Sequence, residues 1–247
     1  MDFKPQLFAS HTPDPDLLRQ QFEQAMVCLT ENYKPDPDSP SVTPMALAES
    51  MQHFFTIICA IDEHTKTVNQ DEIHDIANHG LRLLNELCQW AQTLDCDDAY
   101  AQLEQLSLPI ALWAVHHQLE LDEIDIIINA ISHVANNTQD PRYLSQLAEL
   151  IEKIIHSISP EIKQDTDKSD PARPWRVLNL NHGIIATRSL DPKRMEAVFE
   201  QLLYRLPDDA PGFFAEGMEQ MDLIDYPDHV RAVMKTYYQL TNQPTLH

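Results

Sequence analysis

The sequence predicts an all-α protein, built as stacked antiparallel helical hairpins in two lobes, superhelical or bundle-like, and three observations carry that prediction. Apolar residues recur at spacings of 3 and 4 along most of the chain, the pattern of amphipathic helices. Only four of the 247 residues are glycine (Gly80, Gly183, Gly212 and Gly217), too few for the turns of a sheet-rich fold or for a glycine-rich phosphate loop. Proline and aspartate stand where those helices start and stop, as in the Pro-Asp-Pro-Asp stretches at 13–16 and 35–38.

The first helix lies between those two stretches, with Leu18, Phe22, Ala25, Met26 and Leu29 on its buried face. The repeated Pro-Asp-Pro-Asp reads as helix-boundary chemistry rather than as a cation loop. From Pro44 a second stripe runs through Leu47, Met51, Phe54, Ile58 and Ile61, and a third through Ile73, Ala77, Gly80, Leu84, Leu87, Ala91 and Leu94. Asp97 to Leu106 forms a shorter helix, and Pro109 opens another that passes Trp113 and ends near Gln118. Asp122 caps a segment rich in isoleucine (Ile124, Ile127, Ile128 and Ile131), which propensity alone assigns to strand and spacing assigns to helix. Asp140 and Pro141 start the next helix, which buries Leu144, Leu147, Ile151, Ile154 and Ile158.

Ser159 to Pro174 is polar and charged, which predicts a linker between an N-terminal lobe, residues 1–158, and a C-terminal lobe, residues 175–247. Beyond it, Trp175 to Arg188 and Lys193 to Leu206 read as a pair of helices. Pro207 to Leu240 reads as another pair, capped by Asp208 or Asp209 and by Asp225, with Pro211 and Pro227 in the first turns. The stripes of this second pair are Phe214, Met218 and Met221 on one helix and Val230, Val233, Met234, Tyr237 and Tyr238 on the other. Gly217 lies inside the first of them, where glycine costs roughly 1 kcal/mol against alanine, so a close approach to its backbone is expected. Trp175, Leu178, a short turn, Ala197, Phe199 and a closing Pro207 resemble one tetratricopeptide-type hairpin. The pattern departs from that family at Asn179, at His182 and in the two-residue step from Ala197 to Phe199. The resemblance implies a groove for peptides or partner helices.

Seventeen basic against 39 acidic residues give a formal net charge of -22, which repels nucleic-acid phosphates and anionic lipid and favours a protein or peptide with a basic face. Apolar runs such as Ile110 to Val115 fall far short of a membrane span, and the first residues lack the basic and apolar regions of a secretory signal. A cytoplasmic location is therefore expected, with Cys28, Cys59, Cys88 and Cys96 as reduced and mostly buried thiols.

The candidate ligand or metal residues are His79 and His182, which sit in two copies of Asn-His-Gly with Asn78 and Asn181, and His117 beside His116. No two histidines stand three or four apart, so no zinc helix of the HExxH type is present, and no GxSxG nucleophile motif occurs. Met218, Met221, Tyr237 and Tyr238 are the candidate interaction residues. The expected function is that of a non-enzymatic, acidic helical adaptor or regulatory protein with no cofactor. The alternative is a helical-bundle enzyme or sensor that uses those histidines for a metal or a small ligand.

Overall fold

At the first two helices a proline and a preceding acceptor side chain set the helix start, whereas at the last helix Pro227 is itself the cap residue and no Asp225 cap bond forms. The Asp14 carboxylate accepts from the Asp16 N–H at 3.0 Å, and Thr43 Oγ1 accepts from the Ala46 N–H at 3.2 Å, each ahead of a proline in the first turn. The computed structural model describes residues 14–35, 42–63 and 70–242, with side chains from residue 75 onward in the last stretch. Most of the second Pro-Asp-Pro-Asp and the side chain of Ile73 lie outside the described residues.

The described residues form α1 (Pro15–Asn32), α2 (Pro44–Asp62), α3 (Gln70–Thr93), α4 (Asp97–Gln105), α5 (Ser107–His116) and α6 (Asp125–Asn136). They continue with α7 (Pro141–Ser157), the single turn α8 (Pro160–Lys163), α9 (Pro174–Arg188), α10 (Pro192–Arg205), α11 (Ala210–Leu223) and α12 (Asp228–Thr241). The protein is all-α. Among the described residues the only β pairing is an isolated parallel bridge between Leu121 and Ile158, in which the Leu121 N–H donates to Ser157 O at 2.7 Å and the Ser159 N–H donates to Leu121 O at 3.1 Å.

Contacts divide the chain into two compact units, residues 1–131 with 156–160 and residues 132–155 with 161–247. The division falls inside α6 and in the last turn of α7. The polar stretch 159–174 holds α8, and from Glu161 onward it belongs to the second unit.

In the first unit α1 packs on α2 and α4, α2 on α3, and α3 on α4 and α5. Phe22 and Phe54 each meet Phe55 edge to face at 5.6 Å between ring centroids. Gly80 admits Phe54 to the surface of α3, since a Cβ there would lie 2.6 Å from the ring. The expectation of four reduced cysteines is corrected here. Cys28 on α1 and Cys96 at the start of α4 form a disulfide, because the packing of α1 on α4 brings their Cα atoms to 6.1 Å despite 68 residues of separation. Cys59 and Cys88 are free, and burial pushes the Cys88 thiol up to about 12.

In the second unit α9 packs on α10, and α12 on both α10 and α11. Four rings knit these helices together: Phe199 lies 5.8 Å from Phe213, 5.0 Å from Phe214 and 5.3 Å from Tyr237. The Asp209 side chain makes no cap bond to α11. It is engaged instead by Arg173 and Arg176, while Arg173, only 8% exposed, also pairs with Asp165 at 2.7 Å. The Asp208 carboxylate likewise goes to Lys168, at 2.6 Å. These pairs fix the polar stretch before α9 to the turn between α10 and α11, and the buried guanidinium of Arg173 needs both of its carboxylate partners.

Among the described residues, four outside glycine adopt a left-handed backbone, Asp95, Gln118, Asp165 and Leu190, at φ of 53°, 57°, 49° and 56°. Each lies just beyond the end of a helix, respectively α3, α5, α8 and α9.

Candidate functional site

The second unit carries an open groove with a cavity volume of about 140 Å³, bounded by α9, α11, the turn after α11 and α12. Gly217 lines it. A Cβ at that position would meet the Met234 Sδ at 2.6 Å, so glycine lets the thioether of α12 lie against the backbone of α11, the close approach its place in the helix predicts. Phe213 and Met221 complete the floor, Ile184 and Thr187 supply the α9 wall, and Glu216 and Gln220 stand at the rim with Tyr226.

The groove is tied to the core on one side and to a braced turn on the other. Phe213, half-buried, packs edge to face on Phe214 at 5.2 Å, so the floor of the groove is also the roof of the aromatic cluster. It further presses on Gly183, where a Cβ would lie 2.6 Å from the ring. Both Asn-His-Gly glycines therefore do the same work, each admitting a phenylalanine ring to a helix surface. On the other side, Arg231 donates to Tyr226 O and Ile224 O, both at 3.0 Å, and so holds the turn that leads into α12.

The histidines of the two tripeptides do not share an environment. His79 is exposed on α3, and its neighbour Asn78 is buried, donating to Glu120 O at 3.1 Å and accepting from the Asp122 N–H at 2.9 Å. Asn78 thus anchors the segment before α6. Asn181 donates to Ser132 Oγ at 2.9 Å. His182 is 1% exposed, and its Nε2–H donates to Ala148 O at 2.9 Å. His117 is half-buried, with its Nε2 2.8 Å from Asp62 Oδ1, which also accepts from Trp113 Nε1 at 2.9 Å. Among the described residues no group of three or more His, Cys, Asp or Glu side chains is placed to hold a metal.

Burial holds the His182 imidazole down to about 4, against the pull of Glu152 and with the help of Arg205. The 3.7 Å contact between His182 Nδ1 and Glu152 is therefore not an ion pair at neutral pH, and Glu152 is engaged by Arg205 at 2.6 and 3.1 Å. The unfolded chain takes up a proton at its ordinary 6.5 and the folded chain does not until about 4, so this group's contribution to stability is complete above 6.5 and is lost as pH falls toward 4. Between pH 6.5 and 5 the loss is expected to be about 2 kcal/mol. Urea unfolding across that range checks it, with His182→Gln as the reference that lacks this slope. Parallel pH profiles for the two proteins would show that the imidazole is not buried in its neutral form.

Of the four candidate interaction residues, Met221 lines the groove and Met218 stands half-buried on the same helix. Tyr237 is buried in the ring cluster, its hydroxyl donating to Glu196 O at 3.2 Å, and Tyr238 is half-buried on α12. Ile184, Phe213 and Met234 escaped attention as site residues because helical spacing marks which residues face a core, not where two packed faces leave a gap. Gly217 marks the close approach of Met234 to α11 and not the gap beside it. No protein-family model, no curated protein and no solved structure matches this chain.

Proposed function

We propose that this protein is a non-enzymatic, acidic helical adaptor or regulatory protein that binds a protein or peptide with a basic face. The observation that supports this reading is the groove of the second unit, apolar at its floor and acidic around it. Residues 210–241 carry Glu216, Glu219, Asp222, Asp225 and Asp228 against only Arg231 and Lys235. The excess has the same sign as the net charge of -22, so a basic partner is steered toward this surface as well as to the chain as a whole. Phosphate backbones and anionic lipid are disfavoured by the same field, and no helix among the described residues is long and apolar enough to cross a membrane.

Attraction of this kind weakens with salt, since the Debye length falls from roughly 14 to 4 Å between about 0.05 and 0.5 M. Immobilised protein is therefore expected to retain a basic partner at the lower ionic strength and to release most of it at the higher, read by identifying the bound proteins and their charge. A partner held equally well at both, or one that is itself acidic, overturns the reading.

A further inference from the structure

We propose that the groove between α9, α11 and α12 seats one phenyl-sized side chain projecting from a basic amphipathic helix of a partner protein; this rests on the reading of an acidic interaction module and names its site and its ligand. The size of the cavity comes first. At about 140 Å³ it is close to the roughly 150 Å³ apolar pocket that accepts benzene, so it suits one phenyl ring or a large aliphatic side chain and not a longer run of them. Its floor of Phe213, Met221 and Met234 offers a ring and two thioethers, which are polarizable, adaptable and favourable against an aromatic guest.

The mouth is apolar as well. Ile184 in the α9 wall is 47% exposed, and Leu223 and Ile224, which lie in the chain between the lining residues Met221 and Tyr226, are 79% and 50% exposed. Singly such residues mean little, but one of the seven large apolar residues left exposed among the described residues, Ile184, lines the groove, and two more closely follow the lining residue Met221 in the chain. A partner helix that inserts its anchor covers them with the residues one turn away.

Charge decides what flanks the anchor. Glu216 lines the groove, and Glu219 and Asp222 follow on the exposed part of α11, each turned about 60° further from the groove than the one before. Lysine or arginine at i±3 and i±4 from the anchor meets Glu216 at the groove and, by longer reach, the acidic remainder of the helix. Arg231, on the α12 side, is already directed at Tyr226 O, Ile224 O and, at 3.9 Å, Asp222. Among the described residues there is no strand whose edge an extended peptide could join, and a single apolar anchor entering a groove between helices suits the helix-in-groove mode.

The test uses the full chain and three synthetic 20-residue helical peptides: alanine-based with flanking lysines and a central phenylalanine, the same with central alanine, and the phenylalanine peptide with glutamine for lysine. Anisotropy at about 0.05 M salt is expected to show the first binding at least tenfold more tightly than either of the others. In protein with ¹³C-labelled methionine methyls, its ring is expected to shift Met221 and Met234. Ile184→Glu adds negative charge at an exposed position, so it raises affinity if charge alone holds the peptide and lowers it tenfold or more if the wall of the groove does. If the two lysine peptides bind equally and Ile184→Glu binds them no worse, the groove is overturned while the basic-partner reading stands. If the glutamine peptide binds as tightly as the first, the charge reading is overturned. If no peptide binds, both are.

Discussion

Replacing Phe214 by alanine is expected to lower the stability of the protein by about 3 to 5 kcal/mol, the usual cost of removing a fully buried ring. Phe214 is fully buried and touches three other rings, Phe199, Phe213 and Tyr237, at centroid distances of 5.0, 5.2 and 5.5 Å. Those rings come from α10, α11 and α12, so the void cannot be closed by the shift of one side chain. Two of these pairs are edge to face and the one with Tyr237 is stacked, and such pairs add about 0.5 to 1.5 kcal/mol each beyond the area they bury, which places the loss toward the upper end. Urea unfolding monitored in the near-ultraviolet measures it. Phe214→Leu, which keeps most of the volume, should lose less. A Phe214→Ala change within about half a kcal/mol of the parent would show that the cluster does not hold α11 and α12 together, since so small a cost belongs to surface positions.

Breaking the Cys28–Cys96 disulfide is expected to cost about 4 kcal/mol, because the bond closes a loop of 68 residues and so restricts the unfolded chain. The bridge joins the last part of α1 to the start of α4, two helices already in contact, and the Asn32 side-chain amide lies 3.2 Å from the Cys28 sulfur. Alkylation in denaturant without reductant should therefore modify two cysteines, Cys59 and Cys88, and four after reduction. The double substitution Cys28→Ala with Cys96→Ala should show the stability loss directly. Four alkylations without reductant would overturn the bridge. Cys88, held near 12 by burial, has almost no thiolate at neutral pH and so is a poor partner for disulfide exchange. An intact bridge also bears on location, since disulfides persist in oxidising compartments and are rare in the cytosol, where the sequence alone pointed.

The helices were legible because their apolar residues obey one period: the stripe of α1 is its buried set, and those of α2 and α7 are buried too. Phe55, Tyr143 and Leu150 join them, however, and Ile158 lies past the end of α7 in the bridge to Leu121. Even the run of isoleucines in α6 followed its spacing over its propensity. Cap chemistry was less legible. Asp209 looks like a helix cap in sequence, but two arginines from more than thirty residues earlier claim its carboxylate, and long-range charge pairing leaves no local mark. The disulfide was hidden for the same reason, as nothing near Cys28 or Cys96 in sequence tells that α1 will lie on α4. His182 and Asn179, where the hairpin pattern departs from the tetratricopeptide one, are both buried and hydrogen-bonded, to Ala148 O and to Trp175 O. A polar residue on an apolar stripe marked a satisfied interior group, and only the acceptor's position in space shows that.

The scarcity of glycine that pointed to helices has a cost at the places where helices end. A left-handed residue after a helix is most often glycine, which has no Cβ to crowd the next carbonyl, yet this chain uses Asp95, Gln118, Asp165 and Leu190 there, and among the described residues no glycine has positive φ. Leu190 is the least suited of the four, since aspartate at least has a short polar side chain that tolerates this conformation. The turn between α9 and α10 is therefore spring-loaded against its own backbone and kept closed by the packing of those two helices on each other. Evolution has left a reserve there: a residue suited to the backbone of that turn can make the protein more robust, set against the packing of the half-buried Leu190 side chain.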